Sequence, residues 1–300
     1  MDKFKGVFSK RKTPTDISFE KLVEEFHRDP TRAWDILEQQ QKVQDIQPID
    51  PETPKPEGHT RFVCISDTHC LHSRTGAASF PCIPDGDVLI HAGDFTMVGK
   101  AREVTQFNEF ITSLPHPHKV VIAGNHDLPF DVGGYDCHYR YWRMSLNEPK
   151  TTPEGVRQLL DLSKIHYLED SEITINGIMI YGTPWVPTFG SWAFMLDRGP
   201  DLQAKWDQIP DGTDVLVTHT PPLGYGDLCT SKLRAGCINL LHTVQTRVKP
   251  KYHIYGHIHE AYGVRTDGVT TYINASTANV RYKAVNRPVV FDLPTKESGN

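Results

Sequence analysis

From Arg61 onward the chain is written as short apolar runs, each ending in a polar cluster and separated from the next by an amphipathic stretch. Runs such as Lys119-Val-Val-Ile-Ala123 and Val215-Leu-Val217 are strand-sized, far shorter than the roughly 20 residues that cross a bilayer. This alternation predicts sheets covered on their outer faces by helices, an α/β fold. Strands are expected at 61–66, 87–91, 119–123, 214–218, 252–255 and 269–274, and helices at about 100–113 and 153–162. Glu172 to Tyr181 reads as a hairpin around Asn176-Gly177, a dipeptide suited to a two-residue turn with positive φ. The two halves of this region are each expected to build their own sheet.

The first 57 residues differ. Helical spacing from Ile17 to about Val43 is interrupted at Pro30, and Phe19, Leu22 and Phe26 form an apolar stripe followed by Trp34, Ile36 and Leu37. The proline-rich run from Pro48 to Glu57 reads as an extended linker. The expected organisation is a helical arm and linker over 1–57, docked on a main domain over 58–294, with a frayed polar tail over 295–300. The Lys3, Lys5, Lys10, Arg11 and Lys12 cluster is read as a solvated arm, with contact to acidic lipid as the alternative. The net charge of −5 offers no broad basic field for a polynucleotide backbone, so nucleic acid is disfavoured as a partner. Six cysteines without a C-x-x-C pair, and the lack of an apolar signal segment after Met1, predict reduced thiols in the cytoplasm.

The strand ends carry the chemistry. Asp67 and His69 follow the first strand, Asp94 follows Gly93 after the second, and Gly124-Asn125-His126-Asp127 follows the third. In the second half His219 ends one strand, and His257 and His259 follow Gly256 at another. Each cluster alone is a weak signal. Together they supply carboxylate, amide and imidazole donors in about the number two divalent ions sharing one carboxylate require, with positions left for water and substrate. N/O ligation without thiolate suits Mn²⁺, Fe²⁺ or Zn²⁺.

The order Asp67-x-His69, Gly93-Asp94, Gly124-Asn125-His126-Asp127, His219, Gly256-His257-x-His259 resembles the calcineurin-like metallophosphoesterases over about residues 61–275. Within that superfamily it is similar to the class III cyclic-nucleotide phosphodiesterase branch. Arg61 to His69, Gly256 to Gly263 and Thr271 to Ser276 resemble the animal metallophosphoesterase-domain-containing proteins more closely. The resemblance implies a four-layer sandwich of two mixed β-sheets flanked by helices. It also implies that Asp67, His69 and His259 hold a first metal, that Asp94 bridges, and that Asn125, His219 and His257 hold a second, with Mn²⁺ favoured. His126 is then the catalytic residue beside the leaving oxygen, with Asp127 orienting its ring.

One block departs from the wider family: its G-D-x-x-D/N-R pattern is here Gly93-Asp94-Phe95-Thr96-Met97-Val98, without the second acidic or amide residue and without the arginine. That loss favours a diester over a more highly charged monoester. The implied activity is hydrolysis of cyclic nucleotides or similar small phosphodiesters by in-line attack of a metal-bridging hydroxide. Alternatives are a phosphomonoesterase or nuclease with the same ions, and a metal-stabilised partner-binding scaffold. The oligomeric state stays open, a dimer included. Among the other histidines, His91 and His253 are expected in the core or behind the ligands. The Pro184 to Trp192 stretch is expected either to cap a sheet edge or to form an aromatic wall beside the site.

Overall fold

In the computed structural model residues 17–73, 80–146 and 151–296 are described. The basic cluster at 3–12 lies outside them, as do residues 74–79 of the stretch from His72 to Pro84. The strands in chain order are β1 (Gln44–Ile46), β2 (His59–Ile65), β3 (Val88–Ala92), β4 (His118–Ile122), β5 (His166–Tyr167), β6 (Ser171–Ile175), β7 (Ile178–Thr183), β8 (Val186–Pro187), β9 (Met195–Leu196), β10 (Val215–Thr218), β11 (Tyr252–Tyr255), β12 (Gly263–Thr266), β13 (Thr271–Asn274) and β14 (Val289–Pro294). The α-helices are α1 (Phe19–Phe26), α2 (Pro30–Leu37), α3 (Ala101–Ser113), α4 (Tyr135–Leu146), α5 (Pro153–Arg157), α6 (Pro200–Trp206) and α7 (Ile238–Thr243).

Two mixed sheets stack face to face. One has five strands in the order β14-β2-β3-β4-β5 and the other seven, β1-β12-β13-β11-β10-β7-β6. Within them β2, β3, β4 and β5 run parallel, as do β7, β10, β11 and β13. Strands buried on both faces read as continuous apolar runs, which is why these stand out in the sequence. Alternate residues divide between layers. Phe62, Cys64, Ile90 and Val120 meet Ile180, Val215, Val217 and Ile254 between the sheets. Val63, Ile65, Leu89 and Val121 point outward onto Val104, Phe107 and Ile111 of α3. On the far side Tyr181, Leu216, Tyr255 and Tyr272 are covered by α1, α2, α6 and α7. The result is helix, sheet, sheet, helix.

The hairpin forms at its expected turn, with Asn176 and Gly177 at φ 52 and 73°. The helix expected over 153–162 stops at Arg157. Beyond it Asp161 accepts from the backbone N–H of Ser163 at 3.1 Å and from its hydroxyl, a local turn that competes with helix. Thr295 and Lys296, expected in the frayed tail, are held instead. The Thr295 N–H donates to Gly58, and the Lys296 ammonium meets Asp214 at 2.6 Å. No helix among the described residues is long and apolar enough to cross a membrane.

Residues 17–37 pack on the outer face of the seven-stranded sheet, β1 adds its edge strand against β12, and the following stretch gives the Thr53 carbonyl to Arg61 of β2. Ser18 and Asp29 cap α1 and α2. Trp34 stands edge-on to Tyr225 at 6.4 Å, under the Arg234 guanidinium at 4.5 Å, and over Gly224, where a Cβ would collide with the indole. Trp34→Ala is expected to cost about 3–5 kcal/mol in urea denaturation, because the cavity it leaves lies inside the helical layer. A loss below about 1 kcal/mol would show the arm to be dispensable to the folded body.

Candidate metal centre

The site forms where the C-terminal ends of parallel strands from both sheets converge. Asp67 and His69 follow β2, Asp94 follows β3 and Asn125 and His126 follow β4, while His219 follows β10 and His257 and His259 follow β11. Their donor atoms gather in three overlapping groups, each within 4.8 Å: Asp67, His69 and His259; His69, Asp94 and His126; and Asp94, His219 and His257. Asp94 belongs to two of these. Its Oδ2 lies 3.2 Å from His219 Nε2 and 3.8 Å from His69 Nε2. Asn125 joins through its Oδ1, 3.0 Å from His219 Nε2.

Backbone carbonyls set the imidazole tautomers. The Nδ1–H of His219 donates to Ala92 at 2.8 Å, that of His69 to Thr96 at 3.1 Å and that of His259 to Asn279 at 3.2 Å. Each ring is thereby turned so that its Nε2 lone pair faces the centre. As a result the Nε2 atoms of His69 and His259 confront each other at 3.1 Å, and His219 Nε2 confronts two oxygen acceptors. Such an array of acceptors requires positive charge between its members, from protons or from cations.

The electrostatics agree. Burial drives His69 down to about 3, aided by His126, and drives His257 to about 3, aided by His219. Burial opposes charge on Asp67 and Asp94 as well, yet the surrounding imidazoles hold both carboxyls below their ordinary range. Burial also works against charge on His219, but Asp94 outweighs it and raises that ring to about 9; Asp67 likewise raises His259. The donor set of imidazole, amide and carboxylate fits a pair of divalent ions.

Close backbone approach makes this packing feasible. A Cβ at Gly93 would come 2.6 Å from His219 Nδ1; at Gly124 it would overlap Asp94 Oδ1, and at Gly256 it would overlap Asp67 Oδ2 and Ser66 Oγ. Asp67, His69, Asp94 and His257 are held in the left-handed region, with φ of 51, 40, 58 and 69°. Such backbone costs on the order of 1–3 kcal/mol per residue and clusters at functional sites.

Asp127 does not orient the His126 ring. The His126 Nδ1–H donates to the Met97 carbonyl at 2.8 Å. Asp127 lies fully buried and accepts from the backbone N–H groups of Gly124, Asp94 and Thr96 at 2.8, 3.0 and 2.9 Å, and from the Thr96 hydroxyl at 2.7 Å. It ties the Gly93 and Gly124 turns together. Burial and the nearby Asp94 push its carboxyl up to about 7.

Other participants carry no metal-binding signature in the sequence. Ser276 donates to Asp67 Oδ2 at 2.9 Å, and Tyr282 stands edge-on to His69. Trp192 stacks on His126 at 4.1 Å and is backed by Trp142 at 4.0 Å. The aromatic stretch thus divides: Trp185 packs in the core and bonds to Asp170, whereas Trp192 and the exposed Phe189, 5.2 Å from His257, belong to the site. His91 and His253 are buried and bonded to Thr68 and Thr218.

Residues 60–261 match the model of the calcineurin-like phosphoesterase family. The chain belongs to this family, and its site suits a binuclear centre of divalent ions for phosphoester hydrolysis. Among individual proteins it is similar to human metallophosphoesterase domain-containing protein 1, with 48% identity over 91% of this chain and 85% of that one. It is also 42% identical to UPF0046 protein T07D4.2 of Caenorhabditis elegans, over 96% of this chain and 74% of that one. The crystal structure of phosphopantetheinyl hydrolase (PptH) from Mycobacterium tuberculosis aligns with 82% of this chain and 99% of that one, at 16% identity and TM-score 0.48.

Gly256→Ala is expected to reduce bound metal at least tenfold by inductively coupled plasma analysis, since its Cβ displaces Asp67. Gly133→Ala, where the added methyl meets only Asp131 at 3.9 Å, should retain full loading.

Proposed function

We propose that this protein is a two-metal phosphodiesterase acting on cyclic nucleotides or similar small diesters. Asp67, His69 and His259 would hold one ion and Asn125, His219 and His257 the other, with Asp94 shared between them; Mn²⁺ is the favoured metal. When bound, such a pair acidifies a water molecule and neutralises phosphoryl oxygens. His126 is the proton carrier. Its Nδ1–H is fixed on Met97 and its ring is clamped by Trp192, so Nε2 is the atom left to pass a proton to the departing oxygen. Asp127 acts as a positioning residue, fixing the Asp94 and Asn125 turns.

The observation that carries the diester reading is the course of the chain after Asp94. Phe95 and Val98 turn into the apolar cluster under α3, and the Met97 carbonyl is spent on His126. This loop therefore brings no arginine to the phosphate, where a dianionic monoester would need one most. The six cysteines, none of them in a disulfide, support a cytoplasmic placement.

With Mn²⁺ loaded, kcat/KM for bis-p-nitrophenyl phosphate should exceed that for p-nitrophenyl phosphate by at least tenfold. The reverse preference would favour a phosphomonoesterase. Absence of turnover on any phosphate ester would favour a scaffold. His126→Ala should keep both ions yet slow diesters with poor leaving groups by about 10²–10⁴-fold. Asp94→Ala should lose both ions, and equal metal loss in the two variants would refute these roles.

A further inference from the structure

The segment from Ala275 to Asn286 belongs to the site but has no part in the ligand set. Thr277 N–H donates to the Ser66 carbonyl at 2.8 Å, Ser276 reaches Asp67, and the Asn279 carbonyl fixes the His259 ring. Beyond these latches a tight turn forms. Ala278 bridges Ala284, and the Asn279 side chain accepts from the N–H groups of Arg281 and Lys283 at 2.9 and 3.2 Å. At its tip Tyr282 adopts φ 52°, a conformation rare for a bulky residue. That conformation sends its half-buried ring back over the centre, 4.9 Å from His69, 5.4 Å from His259 and 6.4 Å from His126.

The ring is anchored while its polar end is not. The Tyr282 hydroxyl has no hydrogen-bond partner among the described residues. A phenol O–H can donate as well as accept a hydrogen bond. Packing on His69 and His259 accounts for the ring but leaves the O–H unused. The loop after Asp94, which carries arginine in the wider family, supplies no donor from Val98.

We infer that the Tyr282 hydroxyl donates a hydrogen bond to a non-bridging oxygen of the substrate phosphoryl group, supplying from the connection between β13 and β14 a contact that the loop after Asp94 does not make. A neutral donor suits the single charge of a diester, whereas a guanidinium suits a dianion. This inference rests on the phosphoester reading of the site, and it makes Tyr282 a catalytic residue that strengthens its bond as charge develops on the oxygen.

The test uses Tyr282→Phe, which keeps the ring and removes only the donor, in the full-length Mn²⁺-loaded protein. Three quantities are measured: metal content, affinity for inorganic phosphate by calorimetry, and kcat and KM on bis-p-nitrophenyl phosphate. The expected result is full metal content, phosphate binding weakened about 10- to 100-fold and kcat lowered by a similar factor. Unchanged phosphate affinity with metals retained overturns the inference, whether or not the wild type turns over diesters. Loss of metal in the variant also overturns it, since the residue would then be a support for His259. Weakened phosphate binding in the variant, with a wild type inert on every ester, would sink the hydrolase reading and uphold the Tyr282 contact.

Discussion

The buried carboxylate of Asp94 is the joint on which the structure turns. Its Oδ1 accepts the His126 N–H at 2.8 Å, its Oδ2 faces His219 at 3.2 Å, and its own N–H is held by Asp127 at 3.0 Å. His126 comes from the five-stranded sheet and His219 from the seven-stranded one, so a single side chain couples the two sheets at their C-terminal edge. A buried carboxylate is tolerated only where charge and hydrogen bonds compensate its lost hydration. The surrounding imidazoles supply that compensation, and divalent ions would supply it more completely.

Everything around this joint serves to bring acceptors together against their mutual repulsion. Glycines at 93, 124 and 256 remove the Cβ atoms that would block the approach, and four of the clustered residues, Asp67, His69, Asp94 and His257, have left-handed backbone. The opposing cost is spread over a rigid frame: fully buried strands, carbonyls that fix ring tautomers, and Asp127 cross-linking two turns. Preorganisation of this kind lets a site bind cations without reorganising at the moment of reaction.

Much of the frame was legible in the sequence because parallel strands buried on both faces are continuous apolar runs, and because their ends carry residue types with few other uses in such order. The hairpin at Asn176-Gly177 was legible for a different reason, the positive φ its turn demands. What stayed hidden depends on backbone or on distant packing. No residue type announces that the Met97 or Asn279 carbonyl will orient a histidine. The family resemblance implied that Asp127 orients the His126 ring, yet at a tight turn successive side chains diverge, and the carboxylate went to the backbone beneath. Strand β14, which closes the five-stranded sheet beside β2, lies more than 200 residues from its partner, so only tertiary structure reveals the pairing. Tyr282 reaches the site for the same reason.

The central claim is that two cations share Asp94, and the magnetic coupling between them tests it most directly. Electron paramagnetic resonance of the protein titrated with Mn²⁺ should show, as the second equivalent binds, the multiline spectrum of an exchange-coupled pair. Two equivalents that give only the six-line signal of isolated Mn²⁺ would place the ions too far apart to share a carboxylate and contradict the account.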